Sequence, residues 1–163
     1  MNGELQALDK AQTWESVPFP PGKPPIGSKW VFKIKTKSYG SVDRYKARLV
    51  AKGFNQEYGI DYEETFAPVA RVTSVRSLLA IAATKQWPLF QMDVKNAFLN
   101  GDLSEEVYMT PPPGIKLPQG HVCHLRKAIY GLKQAPRAWF EKFGSTVISL
   151  GFSSINYDSW LFT

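Results

Sequence analysis

The sequence has one cysteine, Cys123, in 163 residues, and only two histidines, His121 and His124. A lone thiol makes no intramolecular disulfide, which excludes a disulfide-stapled secreted scaffold. The three soft ligands lie side by side next to a proline loop and fall short of the four that a structural zinc site takes, so they read as surface or packing residues. Long apolar runs are missing too. The stretch 78–83 is among the longest, far below the ~20 residues that cross a bilayer. No apolar leader opens the chain, so an intracellular protein without a membrane partner is expected. There is no glycine-rich phosphate loop and no Gly-x-Ser-x-Gly elbow, which removes two common routes to nucleotide and ester chemistry. Charged residues make up only 21%, too few for a solvated, disordered chain.

What is present is core material and a localised positive charge. Hydrophobic residues reach 44%, and 22 residues are aromatic. A chain of this length forms one domain or slightly more and can bury roughly 70% of its unfolded surface. The formal net charge is +6, and it is concentrated. Between residues 29 and 52 stand Lys29, Lys33, Lys35, Lys37, Arg44, Lys46, Arg48 and Lys52 against the single acid Asp43. That segment carries +7 and leaves the remainder near −1. Five of the twelve prolines fall in 18–25 and four in 111–118. Proline donates to no backbone ladder, so both stretches read as irregular connections. The first divides a polar N-terminal arm and its proline-rich connection, 1–28, from a body over 29–163.

Within that body, residues 29–37 alternate, with Trp30, Phe32 and Ile34 on one face and lysines on the other. Residues 42–52 alternate again after a Gly-containing turn, with Ala47, Leu49 and Ala51 opposing Lys46, Arg48, Val50 and Lys52. The pattern predicts a β-hairpin whose two basic rows share one side. Val75, Leu78, Leu79 and Ala82 predict a helix over 73–86, capped by Ser or Thr and stopped by Pro88. Leu89 to Val94 reads as a short buried strand, 96–100 as a helical turn ending at Gly101, and 106–109 as another strand. A helix begins near Pro136, with Ala138, Trp139, Phe143, Val147 and Leu150 at helical spacing and Gly151 as its stop. Strand-like pieces occupy 153–163. Strands and helices without a regular βαβ rhythm predict an α+β fold.

The informative segment is Gln-Met-Asp-Val-Lys-Asn-Ala-Phe-Leu-Asn-Gly-Asp-Leu, 91–103. Taken alone, Asp93 reads as well as a helix cap, and Phe98 as core. The wider context changes that reading. Lys-Trp-Val-Phe-Lys (29–33), Tyr-Lys-Ala-Arg-Leu-Val-Ala-Lys-Gly-Phe (45–54) and Gly-Ile-Asp-Tyr-Glu-Glu-Thr-Phe-Ala-Pro-Val (59–69) come first. Asp-Val-Lys-Asn-Ala-Phe-Leu-Asn-Gly (93–101), Glu-Glu-Val-Tyr-Met (105–109) and Tyr-Gly-Leu-Lys-Gln-Ala-Pro-Arg-Ala-Trp (130–139) follow. With these six blocks in order, the chain resembles the reverse transcriptase of copia-type LTR retrotransposons along nearly its whole length.

The resemblance implies a fingers hairpin plus a partial palm, an antiparallel sheet packed on helices. It gives Asp93 the role of first catalytic aspartate and Mg²⁺ (or Mn²⁺) ligand, with the Val94 carbonyl as a further ligand, and two such ions would clamp the attacking and leaving oxygens. Phe98 matches the aromatic gate that occupies the space of a ribose 2′-hydroxyl. The block from Tyr130 to Pro136 matches the floor beneath nucleotide and template, where Gly131 lets the backbone come close and Gln134 offers an amide. Lys46, Arg48 or Lys52 of the hairpin would meet triphosphate or template phosphates, although a solvated lysine face is the plainer alternative. Leu117-Pro118-Gln119-Gly120 looks like a retroviral nucleotide-pocket motif, but no small-residue–Pro pair follows it at the expected distance, whereas Gln134-Ala135-Pro136 follows Tyr130-Gly131 as needed, and it reads as loop.

The family's Tyr-x-Asp-Asp turn does not occur in these 163 residues, and Asp158 stands alone. Two-metal phosphoryl transfer needs several converging carboxylates. The chain by itself is therefore expected to bind metal poorly and not to polymerise DNA. It is also expected to leave the Asp93 strand as an open, aggregation-prone sheet edge. The partners implied are an RNA/DNA primer–template and deoxynucleoside triphosphates, in a cytoplasmic virus-like particle. The competing readings are a nucleic-acid-binding remnant that uses hairpin 29–52 and the non-functional product of a decayed element.

Overall fold

The computed structural model describes residues 1–155 and 158–163. In chain order it contains α1 (Asn2–Lys10), β1 (Trp14–Pro18), β2 (Ser28–Thr36), β3 (Val42–Ala51), α2 (Val72–Lys85), β4 (Asp102–Met109), β5 (His121–Lys127), α3 (Ala135–Ser149), β6 (Ser154–Ile155) and β7 (Asp158–Phe162). Short 3-10 turns occupy Gly53–Asn55 and Ala97–Asn100. The mixture is α+β, as the sequence pattern predicts. No helix among the described residues is long and apolar enough to cross a membrane.

The centre is an antiparallel sheet in the order β1-β5-β4. Its inner face is legible in the alternation of β4 and β5, where Val107 pairs with Leu125 and Met109 with Cys123, all four buried. Burial of each large side chain stabilises by about 1.5–3 kcal/mol. Leu8 of α1, Ile26, Leu49 and Ala51 of β3, Leu99, and Ala135 and Ala138 of α3 complete the same core. Ile26 joins it by bridging to β4, its N–H donating to the Tyr108 carbonyl at 2.8 Å and its own carbonyl accepting from the Thr110 N–H at 2.9 Å. The 1–28 stretch, read from the sequence as a polar arm, thus contains a helix whose Leu8 is buried and a strand bonded to β5 through residues 14–18.

The β2–β3 hairpin forms as the alternation predicts. Its register places Lys33 opposite Lys46, Lys35 opposite Arg44 and Val31 opposite Arg48. Both basic rows therefore lie on one face. On the other, Trp30 pairs with Leu49 and Phe32 with Ala47. The base of that face packs into the core, while Phe32, Ile34 and Tyr45 near the tip are exposed.

Two expectations fail between residues 71 and 94. α2 forms and ends ahead of Pro88 as expected, at Gln86 in the left-handed region (φ 55°), but Arg71 stands at its N-cap without a side-chain cap bond in place of a capping Ser or Thr. The strand expected over 89–94 is absent: this segment has no regular structure. It is also exposed rather than buried, with Phe90 at 92% and Met92 at 85%. An extended segment is held as a strand by ladder bonds to a neighbour, and 89–94 pairs with no strand among the described residues. The expected open sheet edge is accordingly not formed. In its place apolar side chains stand exposed: Trp87, Leu89, Phe90, Met92 and Val94 along 87–94, and Val75, Leu78, Leu79 and Ile81 on α2.

Candidate nucleic-acid interface

The basic face of the hairpin ends on a small aromatic assembly. Arg48 projects from β3, and its guanidinium carbon lies 4.6 Å from the centre of the Tyr130 ring. Tyr130 in turn meets Phe98 edge-on, with ring centroids 4.9 Å apart at 69°. Cation–π and edge-to-face contacts of this kind orient the groups more than they stabilise the fold, each being worth about 0.5–1.5 kcal/mol. Arg48, Tyr130 and Phe98, three residues singled out from the sequence, are thus brought together from three separate segments.

The backbone makes this convergence close. The Ala51 N–H donates to the Tyr130 carbonyl at 2.7 Å. Gly131 has φ of 91° and lies so near β3 that a Cβ there would come within 2.2 Å of the Ala51 carbonyl oxygen. Gly53 meets the same turn from the other side, where a Cβ would be 1.9 Å from the Gly131 oxygen. Glycine at 131 therefore admits the protein's own strand, β3, whereas the resemblance implied an approach to nucleotide and template. Lys52 lies just past the end of β3, its stem against Gly27, and Lys46 is half-buried on the basic face.

Gln134 occupies a different environment from the one expected of a ligand contact. It is fully buried. Its Nε2 donates to the Asp61 carbonyl at 2.9 Å, and its Oε1 accepts from Gln56 Nε2 at 3.0 Å. Both ends of the amide are occupied within the protein.

Asp93 and Val94 are not part of this assembly. They sit in the exposed, irregular 87–94 segment, and Asp93 makes no ion pair among the described residues. No group of three or more His, Cys, Asp or Glu placed to hold a metal ion occurs among the described residues. One exposed carboxylate does not fit a two-metal centre.

Sequence reasoning missed Glu4. Its half-buried carboxyl is pushed above the ordinary carboxylate range by burial, with Arg48 and Lys46 nearby pulling the other way. The only available signal was Leu5 and Leu8 at helical spacing in a segment otherwise polar. His121 and His124 have structural partners: Ser16 Oγ lies 3.1 Å from His121 Nδ1, and Glu15 Oε1 lies 3.0 Å from His124 Nδ1. Glu15 also binds Arg126, which with His124 holds its carboxyl below the usual range. Residues 117–120 form neither helix nor strand, as read from the sequence.

A family model described as "Reverse transcriptase (RNA-dependent DNA polymerase)" matches residues 11–163. The chain belongs to the reverse transcriptase family. It is 50% identical, over 99% of its length, to the retrovirus-related Pol polyprotein from transposon RE2 of Arabidopsis thaliana. It is 49% identical, over 89% of its length, to that from transposon TNT 1-94 of Nicotiana tabacum. Both similarities place it with the copia-type Pol polyproteins, of whose length this reverse transcriptase segment spans 11% in each case. Half of it is also 51% identical to 48% of the uncharacterized mitochondrial protein AtMg00820 of Arabidopsis thaliana. No solved structure matches the chain.

Proposed function

We propose that the chain is the fingers and partial palm of an RNA-directed DNA polymerase, in which the basic hairpin face contacts the phosphates of a primer–template or of an incoming deoxynucleoside triphosphate. The observation that carries this reading is the β2–β3 register, which gathers Lys33, Lys35, Arg44, Lys46 and Arg48 on one side. Arg48 is the cation of that row fixed against Tyr130, and Tyr130 touches Phe98. A phosphate drawn to the basic row would therefore bring its sugar towards the Phe98 edge, where an aromatic ring excludes an extra hydroxyl by bulk. A charge row of one sign attracts a polyanion mainly by releasing its counterions, so binding is steeply salt-dependent.

In the complete polymerase, Asp93 and the Val94 carbonyl would serve as ligands of the divalent ions that such an enzyme uses to activate and stabilise the reacting oxygens. The residues of this chain do not make that centre, so the chain alone binds nucleic acid and does not extend a primer. Both halves of the reading are tested on one preparation. Anisotropy titrations of a labelled RNA·DNA primer–template should give a log–log salt slope of roughly −3 to −4, reduced by Lys33→Glu and Lys46→Glu. Addition of nucleotides with Mg²⁺ or Mn²⁺ should yield no extension. Salt-independent binding overturns the phosphate-facing assignment, and extension abolished by Asp93→Ala overturns the predicted inactivity.

A further inference from the structure

Gln56 and Gln134 are buried polar side chains whose amides bond to each other across a seam in the fold. On one side of the seam lies the exit of β3, residues 51–62. On the other lies the turn 130–134 that starts α3. The orientation of both amides follows from their backbone partners. The Lys133 N–H can only donate, and it lies 2.9 Å from Gln56 Oε1. The Asp61 carbonyl can only accept, and it lies 2.9 Å from Gln134 Nε2. Gln56 Nε2 is thereby left to donate to Gln134 Oε1, at 3.0 Å. The chain of bonds has one polarity: Lys133 N–H to Gln56, Gln56 to Gln134, Gln134 to the Asp61 carbonyl. Reversing either amide would set donor against donor or acceptor against acceptor at a buried site, and each group left unpaired there is costly. Lys133 reinforces the seam through its Nζ, which donates to the Gln56 carbonyl at 3.2 Å and to the Tyr62 hydroxyl at 3.0 Å.

The Arg48–Tyr130 contact straddles the same seam. Arg48 belongs to the strand that runs into residues 51–62, and Tyr130 to the turn that ends at Gln134. We infer that the Gln56–Gln134 amide pair is a positioning device that registers the exit of β3 against the 130–134 turn and so holds the Tyr130 ring beneath the Arg48 guanidinium. Gln134 then acts on nucleic acid through Arg48 and Tyr130 and touches no ligand itself. This inference rests on the phosphate-facing role proposed above for the hairpin.

The test compares Gln134→Met and Gln56→Met, which keep side-chain length and remove the amides, with Arg48→Ala, Tyr130→Leu and the double variant Gln134→Met/Arg48→Ala in the 163-residue chain. The probe is a short RNA·DNA hybrid duplex. Once binding is corrected for the folded fraction, each Met variant should lose roughly threefold to tenfold in affinity, the size of one ordinary hydrogen bond. The double variant should bind no more weakly than Arg48→Ala alone, because contacting residues acting through one another are not additive. A purely structural amide pair would instead leave the folded protein's affinity unchanged, or add its effect in full to that of Arg48→Ala; either result overturns the inference.

An independent measurement uses no nucleic acid. Side-chain protons of Arg48 over the Tyr130 ring carry a ring-current shift, which Tyr130→Leu removes. In Gln134→Met or Gln56→Met these signals should move towards their Tyr130→Leu positions, and signals that stay at wild-type positions in both folded variants overturn the inference. If the wild-type chain itself fails to bind the duplex, the proposed function falls while the ring-current result still decides the positioning role. Should Gln134→Met not fold, Gln56→Met, on the loop side of the seam, carries both readouts.

Discussion

The two parts of this chain that resemblance assigns to polymerase chemistry are built in opposite ways. Around Tyr130, three segments distant in sequence are locked by backbone approach, a buried amide pair, a cation–π contact and an edge-to-face ring pair. Around Asp93, the backbone runs free, with Leu89, Phe90 and Met92 exposed and no strand alongside among the described residues. The half proposed to face phosphate thus draws its geometry from contacts inside the chain. The carboxylate half does not. A hard-oxygen ligand is useful only when held rigidly, so the comparison separates a pre-organised candidate binding surface from an unorganised candidate catalytic position in one molecule.

The strongest way to break this comparison is to place an alanine on each side of it. Gly131→Ala meets the Ala51 carbonyl and a left-handed backbone at once, and should cost about 3 kcal/mol or more. Asp93→Ala should change stability by no more than about 0.5 kcal/mol. Denaturant melts of the two variants check this, and equal effects would remove the distinction. A smaller effect is expected at the exposed surface. Phe90→Glu and Met92→Lys should leave the unfolding free energy within about 0.5 kcal/mol of wild type while reducing self-association in sedimentation, because they interrupt the exposed apolar run of 87–94.

The smallest effect concerns Glu4, which places an anion beside two cations of the proposed interface. Glu4→Gln should raise affinity for an RNA·DNA duplex by about twofold to fivefold, the range of a weak ion pair. Its stability effect has a definite sign. Burial lifts the folded-state value above the ordinary 4.5, so the folded protein holds this proton more tightly than the unfolded chain does. Stability from this group is complete below pH 4.5 and declines as pH rises through the folded value. Glu4→Gln should therefore match wild type near pH 4 and melt higher near pH 7.

Much of the binding half was legible because its signals are periodic. Alternation in 29–37 and 42–52 specifies a hairpin and its faces, and the apolar spacing after Pro136 specifies α3. The N-terminal helix and β1 escaped because each is short and its anchoring is remote: Leu8 is buried against the core, and Trp14 is paired with Leu125. Leu89 to Val94 misled for a related reason. A short apolar run shows a capacity to be buried, but only a partner makes it a strand, and partners are not written into the run itself. Gln134 falls in the motif read from the sequence, but one sequence cannot show that Gln56, 78 residues away, bonds to its amide.

Cys123 lies in the middle strand of the central sheet, with Ser16 of β1 and Met109 of β4 as its neighbours in register. Burial lifts its thiol to about 11, so little thiolate exists at neutral pH, and reagents reach it only when the sheet opens. The native sequence therefore carries its own clock for unfolding. With an excess of a thiol-specific dye, the labelling rate of the untouched chain reports how often the three-stranded sheet parts, and a second cysteine engineered at the hairpin tip would accept a fluorophore without competition from the first.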